Sequence, residues 1–268
     1  MADIPVISSY GPARRGWLMP HRVIMAMLLV ALVYIVATTM RWDWIAQYQG
    51  QLAAGLGRTL LLLVSTVAIG MVFAIILGFA QVAGPNWARW LAGGFCGIIR
   101  GTPLLLQLWL LYYGLGSLMA LYPEVRSSFL WPYLRQAWPY GFLALTMSFA
   151  AYEGEVMRGA FAGVPKGELE AGRAFGMGPF LVLRRIWLPR AMHRALPTLG
   201  GDVILQMKAT PLVATITVVD LYGVISKVRQ ATYLTYEPLL LLALIYMLLT
   251  GVIVLVFRFF ENRMPVKT

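Results

Sequence analysis

The sequence predicts an all-α fold: a polytopic membrane bundle of about six transmembrane helices with a polar loop on its cytoplasmic side. Of the 268 residues, 60% are hydrophobic and only 12% are charged. A soluble domain carries charge on about a quarter of its residues. Several windows of about 20 residues hold few or no charges, and this length crosses a bilayer as a helix. The formal net charge of +11 is spread over loops and ends, so it indicates topology signals and headgroup contact, not nucleic-acid binding.

The predicted elements follow one another from a polar start. Prolines and glycines prevent a helix over residues 1–21, which we predict to be a cytoplasmic N-terminal segment. An additional first transmembrane helix follows at residues 22–40, and residues 261–268 form a cytoplasmic tail. The other spans are predicted at residues 56–82, 91–118, 140–162, 196–219 and 238–260.

Two of these spans contain predicted interruptions. Residues 100–103, Arg-Gly-Thr-Pro, break the third span, because Pro103 removes a backbone donor and frees a carbonyl one turn earlier. Gly200-Gly201 and Pro211 are expected to break the fifth span.

Lysine and arginine are concentrated on one side of this arrangement. They cluster before the first span, in the central loop and in the tail, so the positive-inside rule places these segments and both chain ends in the cytoplasm. Residues 119–138 and 222–236 then lie outside. Near that outer side, Arg58 is expected to snorkel to the interface and Asp220 to be solvated.

The central stretch, residues 167–189, is the longest polar interruption of the chain. Glu168 and Glu170 lie in the opening turn of a short amphipathic helix, where acidic side chains suit the helix dipole. Gly176 ends this helix, and Pro179 opens a second short one. Two such helices would present a surface to something outside the membrane, although composition alone equally fits a solvated, positively charged loop.

Strongly polar side chains inside predicted spans are candidates for a solute pathway, because an ionisable group at bilayer depth costs about 2.5 to 3.5 kcal/mol. Residues two apart on a helix point in nearly opposite directions, so the two carboxylates of the fourth span cannot face one pathway. The candidates are Arg100, Gln107, Tyr152, Glu153, Glu155, Asp202, Gln206 and Lys208.

Each candidate also has a purely structural interpretation. Arg100 could snorkel to the inner interface beside the proline kink. Glu155 could pair with Arg158, whereas Glu153 has no local partner. Either carboxylate could instead meet a cationic ligand group, or form an ion pair with another helix. The polar residues of the fifth span, such as Asp202, could hold helices together by hydrogen bonds.

Motifs for catalysis or cofactor binding are missing. The sequence has no P-loop, no Ser-His-Asp or Cys-His arrangement and no dinucleotide fingerprint. Cys96 is the one cysteine, and His21 and His193 lie far apart in the sequence, so we expect no disulfide and no metal site. The sequence therefore predicts a protein that is not an enzyme and binds no cofactor itself.

The central loop resembles the EAA loop of the permease subunits of bacterial ABC importers. That pattern is EAA, three residues, G, nine residues and I-x-L-P, and the spacing here fits throughout, with glycine in place of the second alanine. Residues 100–107, 151–159 and 202–205 resemble the polar amino acid subfamily, especially its histidine, arginine and opine permeases. The matching loop residues are Glu170, Ala171, Gly172, Gly176, Ile186, Leu188 and Pro189.

The resemblance implies a permease subunit that moves a polar amino acid across the bacterial inner membrane. Residues 55–260 would form the transmembrane domain, with a coupling loop at 163–195 in which Glu168 joins the matching residues against an ATPase. Relatives commonly have five spans, so the helix at 22–40 would be an addition. Glu153 departs from the small or hydroxyl residue usual in relatives, which favours a cationic substrate: histidine, lysine, arginine or an opine.

The same resemblance implies the partners of such a subunit. These are a second homologous permease subunit, two ATPase subunits that bind ATP and Mg, a periplasmic solute-binding protein and membrane lipid. Three alternatives stay open: an ABC importer permease for another small solute, an ion-coupled carrier or channel acting alone, and a structural subunit of another membrane complex. The last two are disfavoured because neither needs a two-helix loop of this pattern.

Overall fold

The structure, a computed structural model, describes residues 20–263, and every regular element in that range is helical. The first 19 residues and residues 264–268 lie outside the described part, and with them most of the predicted N-terminal segment and tail. The described residues divide into two compact units, with the boundary between Ile45 and Ala46. In chain order the helices are α1 (Pro20–Thr39), α2 (Trp44–Ala83), α3 (Asn86–Gly101), α4 (Leu104–Trp109), a π-helix (Leu110–Gly116), α5 (Ser117–Leu121), α6 (Pro123–Arg126), α7 (Trp131–Leu134), α8 (Ala137–Ala162), α9 (Lys166–Ala174), α10 (Pro179–Val182), a second π-helix (Leu183–Trp187), α11 (Leu188–Ala209), a 3-10 helix (Thr210–Ile216), α12 (Leu221–Thr232) and α13 (Tyr236–Arg263).

The all-α membrane fold predicted from composition is confirmed, although a count by length and hydropathy is lower than six. Within residues 20–263, three helices qualify: Trp44–Ala83, Leu104–Leu121 and Tyr236–Arg263. A fourth is added if Pro179–Ile216 and Leu221–Thr232, bent by 53°, form one span. Helix α8 is long enough to span but carries Glu153, Glu155 and Arg158, which lower its hydropathy.

Helix α2 is much longer than the predicted span at 56–82. It has 40 residues and begins at Trp44. At 1.5 Å per residue it reaches about 60 Å, twice the hydrocarbon thickness of a bilayer. The extension forms because residues 45–55 include three alanines and three glutamines, which favour helix, and contain no proline.

The interrupted third span is confirmed as two helical halves that pack along one partner helix. Cys96 on α3 lies against Gly154 on α8, where an added Cβ would be 3.2 Å from the Cys96 Sγ. Past the break, Leu108 packs in a cluster with Ala144 and Tyr140 of α8. Contacts therefore move steadily toward the start of α8, so the two halves run antiparallel to it as one path.

The prediction that Gly200-Gly201 breaks the fifth span is wrong, because α11 runs through both residues. Gly200 instead gives room to a neighbouring helix: an added Cβ would lie 3.1 Å from the Phe257 ring of α13. The helical path also begins at Pro179 instead of residue 196, so the predicted second short helix is the start of this long one. Regular α-helix ends at Ala209, next to the predicted breaker Pro211.

The expectation that Asp220 is solvated is wrong. Asp220 is fully buried and caps α12, where its Oδ1 accepts a hydrogen bond from the Gly223 backbone at 2.8 Å. Arg58 is half-buried, and its Nη1 donates to the Val219 carbonyl at 2.6 Å. Residues 221–232 form a helix, and the Thr59 hydroxyl of α2 accepts from the Leu221 N–H at 3.0 Å, so packing against α2 dehydrates this end.

Candidate functional site

A cavity of about 330 Å³ lies where α4, α8 and α11 meet, a volume within the range of small-molecule sites. Two hydrophobic clusters of the bundle lie beside it, one around Leu108 and Leu145 and one around Phe149 and Met207. Its walls are mostly apolar with a few convergent polar groups. The lining residues are Leu104, Ser148, Phe149, Tyr152, Asp202, Leu205, Gln206, Ala209 and Leu212.

Three of the residues singled out in the sequence, Tyr152, Asp202 and Gln206, line this cavity. Asp202 and Gln206 lie one turn apart on one face of α11. The Gln206 Nε2 donates to the Thr66 hydroxyl at 3.2 Å and to the Leu145 carbonyl at 3.0 Å, which holds α11 against α2 and α8. Asp202 is thus the carboxylate on the wall, and Gln206 braces the helix that carries it.

Glu153 lies behind this wall and does not line the cavity. Its side chain is fully buried, and neither carboxylate oxygen accepts a hydrogen bond from a residue that the structure describes. The carboxyl of Asp202 lies within hydrogen-bonding reach of it. Two acidic side chains therefore meet between α8 and α11, with Asp202 in front.

Arg100, Glu155 and Arg158 form an ion-pair triad on another side of α8. The Glu155 Oε2 lies 3.0 Å from the Arg158 Nε and 3.6 Å from an Arg100 Nη1. The Arg100 guanidinium also covers the Tyr152 ring, 5.6 Å from its centroid. The opposite orientation of Glu153 and Glu155 follows from their two-residue spacing, and the triad connects to the cavity through Tyr152.

The two other candidates lie away from the cavity. Gln107 is buried in the break of the third span, where its Nε2 donates to the carbonyls of Ile99 at 2.8 Å and Thr102 at 3.0 Å. It therefore satisfies acceptors that the proline break leaves free. Lys208 is exposed on the surface of α11 and lies on a different face from Gln206.

The loop between α8 and α11 is built around one tight turn. Helix α9 ends at Ala174, and Gly176 adopts φ +78°, a left-handed conformation that favours glycine. Gly178 and Pro179 then start the long helical path toward α11. These local signals were all readable in the sequence.

Close packing joins the two parts of the loop motif. Gly172 is buried, and an added Cβ would lie 2.6 Å from the Ile186 Cδ1. The Glu168 Oε2 accepts from the Arg190 Nε at 2.8 Å, and Leu169 packs inside. The glycine that departs from the pattern thus lies in direct contact with the isoleucine of its second half.

The loop also has an outward-facing groove, here called the loop groove, with a volume of about 640 Å³. It is lined by Glu168, Ala171, Gly172, Phe175, Met177, Arg185, Ile186, Pro189, Arg190 and His193. Phe175 is 86% exposed at its edge. Glu170 is exposed on another side of α9, beside Arg173 and Trp187, and Leu188 is half-buried under the loop.

Sequence reasoning missed several residues that organise these regions. Thr66 of α2 is fully buried and fixes Gln206, although an isolated threonine in an apolar span gives no signal. Trp187 donates from its Nε1 to the Phe161 carbonyl at 2.9 Å, which ties the loop to the end of α8. Its place inside the I-x-L-P pattern was the available hint.

Comparisons with known proteins find relatives of this chain. A family model described as "Binding-protein-dependent transport system inner membrane component" matches residues 70–266. The octopine transport system permease protein OccM of Rhizobium radiobacter is 38% identical over 210 residues, which cover 78% of this chain and 84% of OccM. The histidine/lysine/arginine/ornithine transport system permease protein HisM of Salmonella typhimurium is 35% identical over 222 residues, covering 83% and 93%.

Solved structures are also similar. The crystal structure of an amino acid ABC transporter with histidines has a TM-score of 0.70 at 28% identity, covering 84% of this chain and 99% of that chain. An inward-facing MetNI methionine ABC transporter has a TM-score of 0.59 at 16% identity, a likeness of fold alone.

Proposed function

Because this chain belongs to the family of binding-protein-dependent transport system inner membrane components, we propose that it translocates a cationic amino acid or opine in an ATP-driven importer. The chain is a permease subunit and not an enzyme. Its relatives OccM and HisM are permeases of octopine and of histidine, lysine, arginine and ornithine transport systems. The substrate class, the pathway residues and the assembly are the parts that we infer here.

The observation that carries the substrate class is the charge of the cavity wall. Asp202 is the carboxylate among the lining residues, and no lysine or arginine is among them. A carboxylate in a mostly apolar cavity attracts an ammonium or guanidinium group, because the low dielectric strengthens the charge-assisted hydrogen bond. We assign Asp202 to the cationic group of the substrate and Tyr152 and Gln206 to its positioning.

The other predicted pathway residues take supporting places in this proposal. The Arg100–Glu155 pair borders the cavity through Tyr152, where Arg100 would attract the carboxylate of an amino acid. Lys208, exposed on this chain, would face the partner permease across the pathway. Gln107 supports the kink, and Glu153 acts through Asp202.

We propose that residues 163–195 couple this subunit to the ATPase. The loop groove combines the exposed Phe175 ring with arginines and a glutamate at its rim, a composition suited to protein contact. Glu170, Ala171, Gly172, Gly176, Ile186, Leu188 and Pro189, together with Glu168, would transmit force and catalyse nothing.

The proposed assembly contains a second homologous permease subunit, two ATPases that bind ATP and Mg, and a periplasmic solute-binding protein. Both chain ends lie in the cytoplasm of a bacterium in this proposal, since arginine and lysine concentrate there. Residues 55–260 form the transmembrane domain, and residues 22–40 add a first span at its start.

The test is uptake by the complete importer reconstituted in liposomes with arginine, lysine, octopine and neutral glutamine as separate probes. We expect uptake of one or more cationic probes, and D202N should lower its kcat/KM by about ten-fold or more, because a hydrogen bond to a charge is lost. The control is D43N, which changes an exposed aspartate that pairs with Arg41 on the surface and should leave uptake unchanged.

Other outcomes would overturn parts of the proposal. Uptake of glutamine alone, or cation uptake that D202N does not change, would reject the cationic pathway. Uptake that survives ATP depletion and collapses with an ion gradient would indicate an ion-coupled carrier.

A further inference from the structure

The carboxyl of Glu153 is buried and has no hydrogen-bond donor and no cation as a partner among the described residues. It is fully buried in α8, a helix that packs extensively against α11. Both of its oxygens lack a hydrogen-bond donor there. An ionised carboxylate in such a place has neither water nor a partner to stabilise its charge.

Among the described residues, no lysine or arginine forms an ion pair with it. Arg100 of α3 and Arg158 of α8 are both engaged with Glu155 on the other side of α8. Arg58 of α2 is held at the far end of the bundle by the Val219 carbonyl. Lys208 of α11 is exposed on the surface of that helix. The charged side chain that lies next to Glu153 is another acid, Asp202.

The contact between Glu153 and Asp202 requires a proton. Two ionised carboxylates are both acceptors, so they cannot hydrogen-bond and would repel each other at this distance. If one carboxyl keeps its proton, its O–H donates to the other, and a repulsive contact becomes a charge-assisted hydrogen bond. Asp202 is half-exposed toward the cavity, so the proton is better kept by the buried Glu153.

We propose that Glu153 and Asp202 share one proton and present a single negative charge at the cavity wall. Glu153 is then a positioning residue that orients the Asp202 carboxylate and is not itself a substrate ligand. This inference rests on the proposed function for its meaning, since one negative charge matches one ammonium or guanidinium group. It corrects the simpler idea that Glu153 adds a second charge for the substrate.

Infrared spectroscopy of the purified complex tests the proton directly, without a transport measurement. With labelled carboxyl carbons, we expect the C=O band of a protonated carboxyl at neutral pH. The band should disappear in E153Q and shift in D202N, because the acceptor changes from a carboxylate to an amide. E261Q, at an exposed site on α13, should leave the band unchanged.

Transport measurements distinguish a positioning role of Glu153 from a role as a negative charge. Glutamine keeps the shape, the neutral state and a donor, so E153Q should keep KM for the cationic probe within about two-fold. E153L removes the donor and should raise KM by about ten-fold, with the ATPase subunits still bound. Loss of transport in E153Q equal to that in E153L would overturn the neutral, donating role.

The two proposals fail in different ways. A wild-type complex without a protonated-carboxyl band, or with a band that survives E153Q, overturns the shared proton even if cationic amino acids are transported. A band that behaves as expected in a complex that transports no cationic probe overturns the proposed substrate and leaves the acid pair intact. If the E153Q complex does not assemble, the shift of the C=O band in D202N still tests whether the two carboxyls share a proton.

Discussion

At the scale of single residues, glycines set how closely the helices approach. Gly78 of α2 touches α8 so closely that an added Cβ would lie 2.6 Å from the Met157 Cβ and 2.8 Å from the Arg158 backbone nitrogen. At Gly172 the one atom closer than 3 Å to an added Cβ is the end of the flexible Ile186 side chain, which can move. The same residue type therefore has a rigid neighbour at one site and a yielding one at the other.

We predict that G78A destabilises the folded protein by about 1 to 3 kcal/mol, because the added methyl group meets backbone that cannot shift cheaply. The matched control is G57A in the same helix, where nothing lies within 4 Å of the added Cβ. Replacing that glycine should be neutral or stabilise by about 0.5 to 1 kcal/mol, because alanine favours helix. Thermal unfolding of both variants is the measurement, and equal midpoints would contradict the packing argument.

At the scale of elements, one helical path connects the loop to the cavity. It runs from Pro179 through α11, which carries Asp202 and Gln206, and the Glu168–Arg190 pair at 2.8 Å attaches α9 to its start. A displacement of α9 would therefore be passed along a continuous helix to the cavity wall. Both partners are partly exposed, so the pair contributes little to stability, about 0 to 1 kcal/mol.

We predict that R190A weakens the coupling of ATP hydrolysis to uptake more than it lowers the stability of the folded protein. Uptake per ATP hydrolysed should fall by about two- to five-fold, which corresponds to a pair worth up to 1 kcal/mol, while the unfolding midpoint stays nearly constant. The charge-swapped double variant E168R/R190E should recover part of the loss. R184A removes an exposed arginine of the same loop, and a loss equal to that of R190A would reject a specific role for the pair.

At the scale of the whole molecule, the proposed function makes this chain the path for the solute and assigns the energy for transport to other subunits. The sequence has no nucleotide-binding motif, and its loop groove faces outward with exposed aromatic and charged side chains. The three helices that are long and apolar enough to span a membrane bury little of their most apolar stretch inside the single chain. The buried share is 28% for Trp44–Ala83, 11% for Leu104–Leu121 and 0% for Tyr236–Arg263. Lipid and other subunits therefore have to cover the rest of these surfaces.

We predict that the purified chain alone neither hydrolyses ATP nor carries arginine across a membrane, and that both activities appear with the ATPase subunits. E170K should weaken ATPase docking and ATP-coupled uptake, because it reverses an exposed charge on α9. E124K reverses an exposed charge in the segment before α8 and should leave docking unchanged. Unaided uptake by the chain, or normal docking of E170K, would contradict this arrangement.

The sequence by itself determined the membrane class, the break at residues 100–103 and the turn at Gly176, because composition, proline and glycine act locally. It also carried the loop pattern that marks the family. The tertiary structure decided that α11 continues through Gly200, that Asp220 is buried and that Glu153 stands behind Asp202. Those features depend on which face of each helix meets a neighbour, and side-chain packing between distant segments settles that choice because local propensity is the same on every face of a helix.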